Sequence, residues 1–219
     1  MNMNILSIGP IDELRQVLTA TSYIIYLHQV YSLDCYFRQT WSDPRLQFNT
    51  SGVSQISLDW KSLTKIWRPD TVFINGQKCY LHKMTTPNRF IRFYPDGRVS
   101  YSQRLTVWAR CSMHLAKFPF DSQKCPLEIG SFGYHAGDVQ YEWAGQAIEF
   151  GKFEMAEMAL KEFHHGVDTG LTNRKLASGF RNDSIAFLTL DFERESGFFL
   201  LGIYFPLTLV VVCSWVGSS

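Results

Sequence analysis

The sequence predicts an all-β sandwich followed by one membrane-spanning helix, and three observations carry that prediction. Between Tyr31 and Glu195 short runs of alternating apolar and polar residues are broken by turn residues, the pattern of many short strands at sandwich spacing. The chain has 219 residues, 46% hydrophobic and 15% aromatic, enough for a large core in a length that all-β domains reach as one unit. Gly197 to Val216 (GFFLLGIYFPLTLVVVCSWV) is an uncharged apolar stretch of about 20 residues, the length a helix needs to cross a bilayer.

In chain order, Val17 to Val30 (VLTATSYIIYLHQV) is apolar and β-branched but too short to span a membrane; it reads as an additional strand or an interfacial segment. Tyr36-Phe37-Arg38-Gln39-Thr40-Trp41 reads as a strand that Asp43-Pro44 breaks. Ser62 to Trp67 reads as a brief helical turn or a loop. Phe90 to Tyr94 is a strand running into Pro95-Asp96-Gly97, a turn whose glycine is free to take positive φ. Strand character resumes from Val99 to Arg110, where Leu105, Val107 and Ala109 alternate with polar neighbours, and again in Ile185 to Phe192. Pro206 lies inside the apolar stretch, which membrane helices tolerate when neighbours satisfy the freed carbonyl; a buried core helix is the alternative. The stretch is preceded by Glu193, Arg194 and Glu195, and Gly217-Ser218-Ser219 follows it at once. No internal repeat or low-complexity tract is present.

A formal net charge of +1 leaves no basic footprint for nucleic acid, and a mean hydropathy of −0.10 gives most of the chain a soluble character. There is no HExxH, no close Cys/His cluster, no Gly-rich phosphate loop and no nucleophile elbow, so neither an enzyme, nor a cofactor, nor a metal site is expected. His164 and His165 adjoin, but two adjacent exposed histidines usually neither bind zinc nor sense protons. Met1 to Gly9 is too short and lacks the basic start of a secretory leader, so a processed or truncated N-terminus, or an unusual isoform, is expected. The five cysteines are odd in number, and Cys35, Cys79 and Cys213 have no evident partner. The sequons Asn49-Thr50-Ser51 and Asn182-Asp183-Ser184 suit glycosylation of an exported domain.

Cys111 to Cys125 reads CSMHLAKFPFDSQKC, thirteen residues between the cysteines with Phe118-Pro119-Phe120-Asp121 at the apex. This segment resembles the signature loop of the Cys-loop, or pentameric ligand-gated, ion channel subunits. Cys35-Tyr36-Phe37-Arg38-Gln39-Thr40-Trp41-Ser42-Asp43-Pro44-Arg45-Leu46 resembles the second-strand motif of the anion-conducting branch, the GABA, glycine and glutamate-gated chloride subunits. Ile66-Trp67-Arg68-Pro69-Asp70-Thr71 resembles that family's loop A entry, and Cys125 to Tyr134 its loop B. Glu193-Arg194 running into Gly197-Phe198-Phe199 resembles the junction with the first membrane helix. The likeness covers nearly all of residues 31–216.

The resemblance implies a disulfide between Cys111 and Cys125; closing a loop of that size removes unfolded-state entropy worth roughly 3 kcal/mol. An unrelated adhesion sandwich would instead leave these two cysteines unbonded to each other. The resemblance also implies a transmitter site between two subunits. One face supplies an aromatic box, which attracts ammonium by about 2 kcal/mol or more when desolvated, and the other a cation for the carboxylate, where arginine pairs bidentately. On the carboxylate side Tyr36, Arg38 and Thr40 alternate and share one face of a strand, with the Ser102 hydroxyl on a neighbouring strand; a solvated surface arginine is the plain alternative for Arg38. On the aromatic side Phe132 takes the loop B position and Phe180 is the candidate from loop C. Loop A departs from the family, with Val72 at the aromatic position and Phe73 next along, and Gly130 stands where a carboxylate is frequent. A core position is the alternative for Phe132. Arg194 and Asp121 are expected to pair beneath the domain and couple binding to gating.

The expected fold is thus an immunoglobulin-like β-sandwich, an extracellular neurotransmitter-binding domain over residues 1–196 with an unusual insertion at 16–30, followed by the first transmembrane helix at 197–216. The expected partners are an amino-acid or amine transmitter, the membrane, and other subunits of a homo- or heteropentamer at the plasma membrane, in a synaptic setting. A truncated, non-conducting isoform acting as a binding or assembly module is the second expectation, since no pore-lining helix follows.

Overall fold

A computed structural model describes residues 1–9, 12–16, 27–49, 52–58, 60–153, 155, 157–169, 171–176 and 179–217, with the backbone alone at 12–16, 27–29, 60, 62, 63, 171–176, 179–181 and 198. Its strands are β1 (Asn2–Ile8), β2 (Asp12–Gln16), β3 (Leu27–Ser42), β4 (Ile56–Leu58), β5 (Thr71–Phe73), β6 (Gly76–Leu81), β7 (Arg89–Phe93), β8 (Arg98–Arg110), β9 (Ser122–Ser131), β10 (Ile148–Phe150), β11 (Met158–Asp168), β12 (Leu171–Leu176), β13 (Gly179–Asn182) and β14 (Ile185–Arg194). One sheet runs β10-β1-β3-β8-β7-β4, with β2 paired to β3 and β6 to β8; the second runs β11-β14-β9-β5; β12 and β13 form a separate hairpin. This is the predicted sandwich.

The alternation read from the sequence is what packs the two sheets together. Leu105, Val107 and Ala109 on β8, Leu33, Cys35 and Phe37 on β3, Leu127 and Ile129 on β9, and Leu188, Leu190 and Phe192 on β14 are all buried in one core. Each large apolar side chain so placed stabilises the fold by about 1.5–3 kcal/mol. Tyr31 joins the sheets with a polar contact as well: its ring meets Phe192, and its hydroxyl donates to the Pro126 carbonyl at 2.9 Å. A smaller core gathers Ile91, Phe93, Val99 and Tyr101.

The turn at Pro95-Asp96-Gly97 joins β7 to β8 with Gly97 at φ +82°, and a Cβ there would lie 2.8 Å from the Asp43 carbonyl oxygen, so only glycine fits. Asp43-Pro44 ends β3 as expected. Pro44–Leu46 is a 3-10 turn, and the Asp43 carboxylate accepts the Arg45 N–H at 3.1 Å. Ser62 to Trp67 falls mostly within the 3-10 segment Trp60–Lys65. β3 is far longer than the strand read at Tyr36 to Trp41, because Leu27 to Val30 extend it in an antiparallel ladder with β2 (Gln16↔Leu27, Arg15↔His28, Asp12↔Val30). Residues 17–26 of the apolar segment lie outside the described residues.

After β14 the chain turns helical: α1 (Ser196–Phe199), a π-helical turn at Leu200–Tyr204, and α2 (Phe205–Gly217). Leu200–Gly217 is long and apolar enough to cross a membrane, and none of it is buried within the chain. The wide turn sits immediately before Pro206. Proline lacks the N–H its helix position would use and its ring crowds the preceding turn, and a π-type turn accommodates both by opening the helix locally.

Candidate ligand-binding site

β3 and β8 pair along thirteen residues, from Val30↔Arg110 to Ser42↔Arg98. Residues directly opposite one another on antiparallel strands share a face, so Tyr36, Arg38 and Thr40 stand beside Arg104, Ser102 and Ser100. β7 adds Phe90 opposite Ser102 and Arg92 opposite Ser100, the Arg92 guanidinium lying 4.7 Å over the Phe90 ring. Tyr36 and Thr40 are exposed, Arg38 is half-buried, and Ser102 is buried between Arg38 and Phe90. Arg38 has no ion-pair partner among the described residues. A partly desolvated, unpaired guanidinium beside a hydroxyl is a chemically competent carboxylate receptor.

The same face carries a network that sequence reasoning did not single out. Arg104 binds Asp34 through Nη2 at 2.7 Å and Nε at 3.3 Å, and His82 Nε2 lies 2.8 Å from Thr106 Oγ1 and 3.6 Å from Asp34 Oδ1. The hydrogen bond to Asp34 raises the Arg104 pKa above its ordinary value. The available signal was period two: Asp34 lies two residues before Tyr36 and therefore on its face.

The aromatic side is built on the second sheet. Phe132, just past β9, is 76% exposed. Its loop is fastened to Asp70: Ser131 Oγ donates to Oδ1 at 2.5 Å, the Gly133 N–H to Oδ2 at 2.6 Å, and the Phe132 N–H to the Asp70 carbonyl at 3.3 Å. The Tyr134 N–H in turn donates to Ser131 Oγ, and Trp67 Nε1–H to the Tyr134 hydroxyl at 3.1 Å. β5 pairs Val72 with Gly130 and Phe73 with Ile129, so the two side chains point to opposite faces. Phe73 packs on the main core, its ring 5.6 Å from that of Phe37. A Cβ at Gly130 would lie 3.0 Å from Ile74 Cδ1, so a side chain there would have to displace the tip of Ile74. Phe180 lies in β13 opposite Lys175; its side chain is outside the described residues. The structure therefore gathers Tyr36, Arg38, Thr40 and Ser102 on one face, and sets Phe132 on the loop of the other sheet.

Beneath β9 and β14 lies the third element. Cys111 and Cys125 are bonded. Arg194 Nε lies 2.7 Å from Asp121 Oδ1 and Nη2 3.2 Å from Oδ2, with both side chains buried. Burial alone would raise the Asp121 pKa, but hydrogen bonds from Arg194 and Gln123 outweigh it and leave the carboxyl below its ordinary value. The Arg194 guanidinium also lies 4.8 Å from the Phe118 ring and 5.4 Å from that of Phe199, and these two rings meet edge to face at 4.9 Å. The signature loop, the last strand and the first helical turn thus meet around one buried cation.

His164 Nε2 lies 3.7 Å from Glu162 and 4.0 Å from Asp191, while His165 stacks on Phe163 and meets Trp143 edge to face. Among the described residues no group of three or more His, Cys, Asp or Glu could hold a metal ion. Asn49 and Asn182 are exposed; the Ser184 hydroxyl of the second sequon is buried and accepts the Tyr141 N–H at 2.9 Å, and Thr50 and Ser51 of the first lie outside the described residues.

The architecture is a two-layer sandwich with a fifteen-residue disulfide loop at its foot and an apolar helix leaving the last strand. Residues 1–195 match the model of the neurotransmitter-gated ion-channel ligand binding domain, and the chain belongs to that family. It is 50% identical over 137 residues to the gamma-aminobutyric acid receptor alpha-like protein of Drosophila melanogaster, covering 63% of this chain and 18% of that protein. It is 35% identical over 212 residues to gamma-aminobutyric acid receptor subunit gamma-1 of Rattus norvegicus, and equally to that of Homo sapiens, covering 96% of this chain and 42% of each. The chain spans less than half the length of these curated relatives.

Proposed function

We propose that this chain is the extracellular transmitter-binding part of a chloride-conducting channel subunit, which binds a small amino acid such as GABA or glycine between subunits of a pentamer at the plasma membrane of a synapse. The observation that carries this reading is Arg38, a half-buried guanidinium with no ion-pair partner among the described residues, opposite the Ser102 hydroxyl and between the exposed Tyr36 and Thr40. On this reading Arg38 and Ser102 take the ligand carboxylate, Tyr36 packs along its methylene chain, and Thr40 borders the site. Phe132, with Phe180, belongs to the ammonium-facing side that the adjacent subunit presents; Phe73 is left out of it, because its ring packs on the core against Phe37. The Phe132 side chain is open to a ligand.

The reading extends to transmission. Asp121 and Arg194 form the joint through which movement of the binding sheets reaches the helix at 197–216. The similarity to GABA receptor subunits supports GABA as the first transmitter to try.

The test is an agonist screen on the full-length subunit, alone and with partner subunits, recording current against GABA and glycine concentration. Replacing Arg38 by Ala removes a charge-assisted pair worth about 1.5–3 kcal/mol, so the half-maximal concentration rises roughly 10- to 100-fold. A concentration–response curve that survives Arg38→Ala unaltered sinks the carboxylate assignment.

A further inference from the structure

Gln39 stands between Arg38 and Thr40 on β3 and, by alternation, points the other way, into the sandwich. Its Nε2–H donates to the Thr71 hydroxyl at 2.5 Å, and Thr71 Oγ1 lies 2.9 Å from the Tyr141 hydroxyl. The Tyr141 N–H donates in turn to Ser184 Oγ at 2.9 Å. Gln39, Tyr141 and Ser184 are each at most 6% exposed. This row of polar contacts crosses the molecule. It begins behind Arg38 on one sheet. It passes Thr71, which follows the Asp70 that fastens the Phe132 loop. It ends at Ser184, between β13, which carries Phe180, and β14. The Ala136 N–H, donating to the Asn182 carbonyl at 2.9 Å, ties the segment ahead of Tyr141 to the same hairpin.

A buried hydroxyl or amide that loses its partner is costly, so a displacement at one end of such a row is followed at the other rather than absorbed by a broken bond. We propose that Thr71 and Tyr141 are positioning residues that couple the two ligand-facing surfaces of one subunit, the Arg38 face and the Phe132 loop with the β12–β13 hairpin. The proposal rests on the reading of those surfaces as halves of two transmitter sites. In a ring each chain turns Arg38 to one neighbour and Phe132 to the other, so the row joins one site to the next. The Tyr141 hydroxyl is where removing one atom cuts it.

Tyr141→Phe makes that cut and keeps the ring. Tyr31→Phe is its control, because it also removes a buried hydroxyl that bridges the sheets, to the Pro126 carbonyl, but outside the row. Hydrogen exchange of the full-length subunit, read by peptide mass spectrometry, should quicken about 2- to 10-fold in Tyr141→Phe at residues 38–40, 131–134 and 182–185 together. Tyr31→Phe should leave those three segments as they are. Currents from the subunit with its partners give the second reading. Arg38→Lys and Phe132→Ala in one chain touch different sites, and their shifts in half-maximal agonist concentration should depart from additivity by about twofold or more. In the Tyr141→Phe background the two shifts should add, and in the Tyr31→Phe background they should still not. Unchanged exchange in Tyr141→Phe, equal changes in Tyr31→Phe, additivity in the otherwise wild-type chain, or non-additivity that survives Tyr141→Phe would each overturn the proposal. A subunit silent to GABA and glycine would instead overturn the transmitter reading, and the exchange pattern alone would then decide whether the row ties the two surfaces.

Discussion

Arg38 and Arg194 carry the same guanidinium into opposite surroundings. Arg38 is half-buried on the outer face of β3 and has no ion-pair partner among the described residues. Arg194 ends β14 with its side chain fully buried, clamped by Asp121 at 2.7 Å and flanked by the rings of Phe118 and Phe199. Water decides what each can do. A charge stripped of solvent is tolerated only when paired and hydrogen-bonded, so Arg194 is committed to its neighbours. A charge that keeps part of its hydration can remain unpaired, and its pairing capacity stays available to a ligand.

The largest way to break this contrast is Arg194→Gln. Removing one partner leaves Asp121 buried without its counter-charge, an effect of about 3–5 kcal/mol, and the gating current should vanish with it. Thermal unfolding of the subunit reads the first and recording reads the second. Asp121→Asn/Arg194→Gln should recover much of the stability; a double variant as unstable as the single one would show that the pair is not the cause. Arg38→Lys sharpens the other side of the contrast. It keeps the charge and loses the planar fork, so agonist potency should fall about tenfold while the melting temperature stays put.

A smaller effect concerns acid. The folded pKa of Asp121 lies below its ordinary value of 3.8, so the stability from this pair is complete above that value and is lost as pH falls through the lower folded one. Asp121→Asn should therefore flatten the stability–pH curve below about pH 4, and an unchanged acid limb would contradict the pairing. Smallest of all is Asp34→Asn. The Asp34–Arg104 pair is partly exposed, so its loss should cost only about 0.2–1 kcal/mol. Its reach is better seen in agonist potency, since Arg104 stands directly opposite Tyr36.

Local features of both regions were legible in the sequence. Thirteen residues between Cys111 and Cys125 with the Phe-Pro-Phe-Asp apex marked the disulfide loop, and alternation alone placed Tyr36, Arg38 and Thr40 on one face. Contacts across the sheets were not legible. Asp34 meets Arg104 across 70 residues of chain, and no local pattern reports such a distance. Nor does period two show which face is inward at a three-residue strand: Phe73 packs against Phe37 because β5 pairs with β9, a fact of the sheet and not of the segment. The length of β3 was hidden for the same reason, as its first residues are strand only through pairing with β2. The brief β5–β9 contact also brings Ile74 beside Gly130, with its Cδ1 3.0 Å from where a Cβ would lie, a closeness no local pattern reports.

β8 has a further consequence for how this sequence can vary. It is paired along both edges, with β3 on one side and β6 and β7 on the other. Its parity is therefore shared by four strands. Deleting one residue within it would shift the frame of everything beyond, turning Leu105 and Val107 outward and Arg104 and Thr106 into the core. A missense change in β8 is a local event, whereas a one-residue deletion inverts the sheet. Changes of length in this half of the molecule must fall in the turns, and at Pro95-Asp96-Gly97 even that freedom is narrowed by the glycine seated against Asp43.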